Sequence, residues 1–552
     1  MTDIGILNLT RFGDLIQTSP VLAGLRKRHP DARIHLIVKS RFRGAAEMLP
    51  MVDVIHEIDG DALSEIVSQP GIPFVDRFRK IREVVDRLST LHFDVLINFT
   101  HSRASAVLLS LLDADETVGF TLDRDGHRQV GSPWLSHMAT LVRSRRLSRF
   151  NLVEIYLGAA GALGEGASLS VRIPASAREF ADKRLAGAGP LVAVQVGASQ
   201  DAKTWPVDRF TETVNALSRR IPSLRVLLVG VASEAEATRA LMAACPGVQF
   251  EDLVGKTQLD GLAAVLEKSD LLLTSDTGTM HLAAAVGTTT CAVFVGLGMP
   301  HETAVYAEGH WILMSSIACA PCSFQVTCGH PVCHDDISTE WLADLLQRIL
   351  EGSSVDDIPA LPRANLLKTR FDEDGLLDLI PVHVRRPDPQ ELLAMVYRAV
   401  FLESFEGIPL RAERIWQRAS ERYGISAEEW THFFPETLLE QLAKLDELGQ
   451  RAEQLSSRIE HLTGQPEALG QAAKALNETD TAIYTITRSE PLLAPLGLSL
   501  EGALEDLPNV DLPTLASLCN RHYEALRHRV RVLRKIMGME SNLPHSEQGE
   551  LK

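Results

Sequence analysis

The chain has 552 residues, of which 45% are hydrophobic, 23% charged and 5% aromatic. This balance excludes disordered, collagen-like and disulfide-dense classes and supplies enough apolar material for large cores. At roughly 100–200 residues per domain, the length predicts about three or four domains. The 55 basic and 72 acidic residues leave a net charge of −17, which repels nucleic acid and excludes general nucleic-acid binding.

The charge divides unevenly. Residues 351–552 hold 22 basic against 33 acidic residues, a net of −11, while residues 1–350 carry −6. That asymmetry predicts two different kinds of domain on either side of residue 350. The opening Met1-Thr2-Asp3-Ile4 lacks the basic and apolar regions of a secretory signal. No window approaches ~18 uninterrupted apolar residues, so no transmembrane helix is expected and the expected location is the cytoplasm.

In chain order, short Leu-rich or β-branched runs alternate with amphipathic stretches of helical length, the pattern of parallel βαβ units. Residues 4–9, 34–38, 52–58 and 95–99 read as buried strands, with helices over 15–28 and 74–91. A second set follows the Gly- and Ala-rich segment at 158–166. Its strands are 191–196, 225–229, 271–275 and 289–295, and its helices 207–220, 234–245, 259–268 and 279–286. This is an α/β chain of two successive Rossmann-like, doubly wound halves, each binding ligands at the carboxyl ends of its strands. Expected boundaries are 1–165 for the first half and 166–351 for the second. Residues 352–390, with five prolines, read as a linker. From 391 to 552 the pattern is helical, an all-α appendage, with predicted helices at 391–403, 410–422 and 438–462. The apolar repeat near Leu439 lasts about three heptads before Gly464, which suits a bundle helix better than a coiled coil.

Three motifs carry candidate chemistry. Arg11-Phe-Gly-Asp-Leu-Ile-Gln-Thr-Ser-Pro20 follows the first strand without the G-x-G-x-x-G spacing of a dinucleotide site. Its Asp14 is either a helix cap or a general base in the cleft between the halves. Ser275-Asp-Thr-Gly-Thr-Met-His281 leads from a strand into a small-residue helix, whose backbone N–H groups can receive a diphosphate. The plainer reading is an ordinary strand-to-helix turn. Gln195-Val-Gly-Ala-Ser199 leads to Lys203-Thr-Trp-Pro206 on the same sheet edge. A cation and a helix N-terminus converging there would stabilise the charge that grows on a departing nucleoside diphosphate.

Together, in this order, the motifs resemble glycosyltransferase family 9, the ADP-heptose:lipopolysaccharide heptosyltransferase family, over roughly residues 1–350. The resemblance implies a GT-B fold, with the acceptor on the N-terminal half and the sugar nucleotide mainly on the C-terminal half. It implies that Asp14 is the catalytic base of an inverting transfer, that Lys203 binds phosphate, and that Asp276, Thr277, Gly278 and His281 hold the diphosphate and sugar. Ser199 joins this donor-binding set. Glu234 or Glu236 occupies the region near the ribose, Glu234 being placed with the set. Gln195 departs from the family's usual His, and the chain runs some 200 residues past the usual end.

The implied activity is transfer of heptose or a related sugar from a nucleoside diphosphate, ADP-heptose in this family, to a lipopolysaccharide-core or other cell-envelope acceptor, with no cofactor required for catalysis. Two alternatives stay open: a protein O-heptosyltransferase whose appendage docks a polypeptide, and a non-catalytic sugar-nucleotide-binding scaffold. Cys319, Cys322, Cys328 and Cys333 have a spacing that points first to structural zinc or iron, then to reduced thiols packing a loop, and last to disulfides. The final helix, with Arg521, Arg527, Arg529, Arg531, Arg534 and Lys535, suits either peripheral contact with the inner membrane or packing against acidic neighbours.

Overall fold

The computed structural model describes residues 2–60, 73–165, 168–324 and 328–538. Its N-terminal sheet comprises β1 (Asp3–Leu7), β2 (Arg33–Lys39), β3 (Val54–Ile58), β4 (His92–Asn98) and β5 (Asp113–Gly119), in the order β3-β2-β1-β4-β5. All four pairings are parallel. Leu7, Ile37, Phe93 and Leu96 fill one side of this sheet with Leu88 and Leu109 from the covering helices. A small hairpin, β6 (Thr121–Leu122) and β7 (Arg128–Gln129), follows β5.

The second sheet contains β8 (Leu191–Val194), β9 (Arg225–Leu228), β10 (Gln249–Asp252), β11 (Leu271–Ser275), β12 (Thr289–Phe294), β13 (Trp311–Ser315), β14 (Ala364–Phe371) and β15 (Leu377–Pro381). Their order is β10-β9-β8-β11-β12-β13-β14-β15. The first six are parallel in the doubly wound order. The last two are antiparallel. In each sheet the strand order reverses beside the first strand of its set, which opens the crevice where ligands bind.

Two local differences from the sequence reading have clear causes. The single helix expected at 15–28 is two, Phe12–Ile16 and Ser19–Arg28. Pro20 lacks the N–H that would reach the Ile16 carbonyl, and the Ser19 hydroxyl donates to that carbonyl instead, at 2.8 Å. The linker expected at 352–390 holds β14 and β15. Its prolines stand at 359, 362, 381, 387 and 389, before, at the end of and after these strands, where no interior ladder bond is lost.

The described chain divides into two compact units. One takes the chain up to Leu135 and from Phe150 to His383, and so contains both Rossmann-like sheets. The other takes Ser136–Arg149 together with the chain from Val384 onward. This second unit is helical, with Pro389–Glu406, Ala412–Tyr423, Glu436–Glu460, Pro466–Ser489, Ala494–Glu505 and Leu512–Ile536 as its main elements. Segment 136–149 is built into it. His137 packs edge-on against Phe401 at 4.7 Å between ring centroids, and Arg398 donates to the Arg149 carbonyl at 3.2 Å.

Candidate active site

The carboxyl end of β1 is held by a buried polar network. Asn8 donates to the Thr18 hydroxyl at 3.0 Å and accepts the Thr10 N–H at 3.2 Å and the Thr10 hydroxyl. The Thr18 hydroxyl donates to the Asp14 carbonyl at 3.0 Å. Asp14, half-buried in the short helix that follows, accepts the Arg11 N–H at 3.2 Å and so does cap its helix. It also faces the cleft. Burial raises its pKa, against the opposing pull of the Arg11 N–H, the Thr10 hydroxyl, and the charges of Arg11 and Lys203. Tyr156, stacked on Phe99 at 4.2 Å, lies close enough for the Asp14 charge to add to burial in holding its phenol neutral.

Two glycines bring the halves together. A Cβ on Gly13 would sit 2.8 Å from the Gly278 Cα, and one on Gly278 would sit 2.6 Å from Phe12 Cζ. Only the absence of both side chains allows helix Phe12–Ile16 to meet the start of helix Gly278–Ala285. Across the same cleft the Arg11 guanidinium donates to the Ser199 hydroxyl at 2.7 Å.

On the C-terminal side, Lys203 Nζ donates to Asp276 Oδ2 at 2.6 Å, with both groups largely buried. The loop before helix Val207–Arg220 is anchored by Trp205. Its N–H donates to the Ser275 hydroxyl at 3.0 Å and its indole N–H to the His334 carbonyl at 3.1 Å. His281 is buried beside Lys203 and Asp276, with its Nδ1 unpartnered. Burial lowers its pKa to about 4, Asp276 opposing and Lys203 assisting, so the ring is neutral at pH 7.

Gln195 links two of the expected donor-binding groups, accepting from the Thr277 hydroxyl at 3.2 Å and donating to Glu234 at 3.3 Å. Glu234 lies against two glycines. A Cβ on Gly197 would stand 2.5 Å from its Oε1 and one on Gly230 1.9 Å from its Oε2. Burial raises the Glu234 pKa, with the Gln195 amide as the first opposing contact. Glu236 is exposed in the following helix. The geometry thus separates the two glutamates that the sequence left as alternatives.

The structure brings Asp14, Ser199, Lys203, Asp276, Thr277, Gly278 and His281 to one cleft, with Glu234 joined through Gln195. The sequence reading assigned no role to Asn8, Thr10 or Tyr156. A polar Asn at the end of a buried strand was the available signal for the first; nothing local marks the other two.

The four cysteines of the 319–333 loop lie near one another, since Cys319, Cys322 and Cys328 all act electrostatically on Cys333. Cys319 and Cys328 are exposed, Cys322 is half-buried and Cys333 is buried. Among the described residues no three of their sulfurs come within 4.8 Å of one another. The loop also braces the site. The Cys322 N–H donates to the Gly296 carbonyl at 2.7 Å, and the Leu297 N–H to the Ala202 carbonyl, next to Lys203, at 3.2 Å.

In the helical unit, several basic groups of the last helix turn inward. Arg527 pairs with Asp446 at 3.0 Å and with Glu453, and Arg531 pairs with Asp446 at 3.2 Å. Arg529 donates to Ser499 and Ser404 at 2.7 and 2.8 Å. Packing against acidic neighbours, rather than a free basic face, is what these residues do here. Among the described residues no helix is long and apolar enough to cross a membrane.

Two Rossmann-like sheets sharing a cleft, with a carboxylate on one side and a cation and helix N-terminus on the other, are the arrangement of the GT-B fold. Residues 81–331 match the model of Glycosyltransferase family 9 (heptosyltransferase). The match includes Lys203 and Asp276–His281 and begins after Asp14. Lipopolysaccharide heptosyltransferase 3 of Escherichia coli (strain K12) is 25% identical over 292 residues, 51% of this chain and 79% of the relative. Lipopolysaccharide heptosyltransferase 1 of Pseudomonas aeruginosa is 25% identical over 336 residues, 60% of this chain and 88% of the relative. The crystal structure of a family 9 glycosyltransferase from Veillonella parvula shares the fold, with a TM-score of 0.51 and 20% identity over 64% of this chain and 98% of its own.

Proposed function

We propose that the protein is an inverting transferase that moves a heptose from a nucleoside diphosphate donor, ADP-heptose by family resemblance, to a hydroxyl of a lipopolysaccharide-core acceptor at the cytoplasmic side of the envelope. The observation that carries this reading is the meeting of Asp14 with the Lys203–Asp276–His281 group across the Gly13–Gly278 contact. Two relatives that each match over more than three-quarters of their own length are named lipopolysaccharide heptosyltransferases.

In this mechanism Asp14 accepts the proton of the acceptor hydroxyl as its oxygen attacks the anomeric carbon. The bond to the diphosphate breaks on the opposite face, which inverts the configuration. Negative charge growing on the leaving phosphate is met by Lys203 and by the N–H groups opening helix Gly278–Ala285. Lys203, paired with Asp276 in the structure, exchanges part of that partnership for the phosphate. Neutral His281 offers its unpartnered Nδ1 to the donor, and Glu234 receives a ribose hydroxyl. The chain's own groups complete these steps, and none is routed through a metal.

Asp14→Asn tests the reading. The variant keeps the N-terminal cap, because its carbonyl oxygen still accepts the Arg11 N–H, but cannot take a proton. Its kcat should fall by about 100- to 10,000-fold while the donor Kd stays within about twofold, measured by mass-spectrometric transfer assays and calorimetry with ADP-heptose. Transfer at the wild-type rate would remove Asp14 as the base.

A further inference from the structure

Helix Phe74–Leu88 of the N-terminal half carries an unusual surface. Val75, Phe78 and Ile81 are 61%, 53% and 38% exposed. At spacings of three they follow one another along one side of the helix, forming a continuous apolar strip over its first two turns. Large apolar side chains exposed singly are ordinary; three in succession on one helix face are not.

The strip is set among cations. The helix holds Arg77, Arg79, Lys80, Arg82 and Arg87 against Asp76, Glu83 and Asp86, a local excess of positive charge on a chain whose net is −17. Arg79 and Arg82 lean on Asp76 and Asp86 at 3.1 and 3.4 Å, exposed pairs that are easily exchanged for other anions. Lys80 and Arg87 have no acidic partner among the described residues. Apolar side chains beside long basic ones suit the boundary of an anionic leaflet, where the former enter the acyl region and the latter reach lipid phosphates.

Topology places this strip on the working side of the sheet. The helix connects parallel strands and therefore runs antiparallel to them. Its last turn delivers Leu88 to the β4 entry, so its first turns lie toward the carboxyl ends of β1 and β4, the edge that bears Asp14. The last helix of the chain, by contrast, directs Arg527 and Arg529 into its own unit.

We propose that the first two turns of helix Phe74–Leu88 are a membrane-docking surface, seating Val75, Phe78 and Ile81 in an anionic lipid leaflet with Arg79, Lys80 and Arg82 on its phosphates. The inference rests on the reading of the acceptor as a lipid-anchored saccharide: such an acceptor stays in its leaflet, so the enzyme must come to it.

Vesicle flotation of the full-length chain tests the proposal, using phosphatidylcholine with and without phosphatidylglycerol. The wild type should bind the anionic vesicles, release with added salt, and bind the neutral ones weakly. The triple variant Val75→Ser/Phe78→Ser/Ile81→Ser and the variant Arg79→Glu/Lys80→Glu should each lose about tenfold or more in partitioning, with an unchanged Tm. Lys535→Glu, on the last helix, should bind as the wild type does. Wild-type protein that ignores anionic vesicles, or variants that bind as tightly as wild type, would overturn the proposal. So would a dimer, seen by light scattering, that the triple variant dissolves, since a second copy would then cover the strip. Transfer to a soluble, delipidated acceptor separates the two readings. It should persist in the docking variants, whereas its absence in the wild type would count against the transferase reading and leave the vesicle result standing.

Discussion

Asp14 is a carboxylate under opposed influences: burial raises its pKa, while Thr10, Arg11 and Lys203 lower it. The Thr10 hydroxyl has one proton, which can go to Asn8 or to Asp14, so this small side chain bears on the Asp14 carboxyl. Thr10→Val keeps the shape and removes the donor. The acid limb of the kcat/KM profile should move to higher pH, by up to about one unit, because Asp14 then holds its proton more strongly. A pH-independent fall in rate would show that Thr10 matters only for packing. Glu234 is similar in kind: a half-buried carboxylate whose position depends on Gln195, which links it to the Thr277 loop.

Between elements, the decisive contact is helix Phe12–Ile16 against helix Gly278–Ala285. Gly13→Ala introduces a methyl 2.8 Å from the Gly278 backbone, and neither backbone can rotate away as a flexible side chain would. The helices must separate, which should cost about 1–3 kcal/mol and pull Asp14 from the donor side. Expected is a fall in kcat larger than the modest fall in Tm, read from steady-state kinetics beside thermal unfolding. An unchanged kcat would mean that the cleft tolerates a wider opening than this contact implies. The 136–149 segment shows another use of elements, in which a piece of chain lying between two parts of the Rossmann-like unit completes the helical one.

For the whole molecule, buried neutral histidines set the response to acid. His281 and His310 are held at a pKa of about 4 and His137 at about 3, each chiefly by burial, against about 6.5 when unfolded. Their folded pKa values are lowered, so below about pH 6.5 the unfolded chain binds protons that the folded chain does not. Stability therefore falls with decreasing pH through the window from about 6.5 to 4, at up to about 1.4 kcal/mol per pH unit for each histidine. Denaturant midpoints taken between pH 7.5 and 5 should decline steadily. A flat series would show that these rings are not held neutral.

The sequence alone determined the alternation of strands and helices, the two Rossmann-like halves and the motif residues at the carboxyl ends of their strands, because hydrophobic period and glycine placement are local properties written every few residues. Charge and proline content put a change near residue 350, whereas the compact unit that holds both sheets runs on to His383. The sequence reading missed β14 and β15, whose pairing partner β13 is distant in the chain and whose bracketing prolines read as a linker. It did not separate Glu234 from Glu236, one residue of spacing apart but different in exposure. Only the tertiary structure decided that Gly13 meets Gly278, that Asn8 and Thr10 support Asp14, and that Arg527 and Arg529 of the last helix turn inward. Each of these depends on which surfaces meet after folding, and long-range packing leaves no periodic trace along the chain.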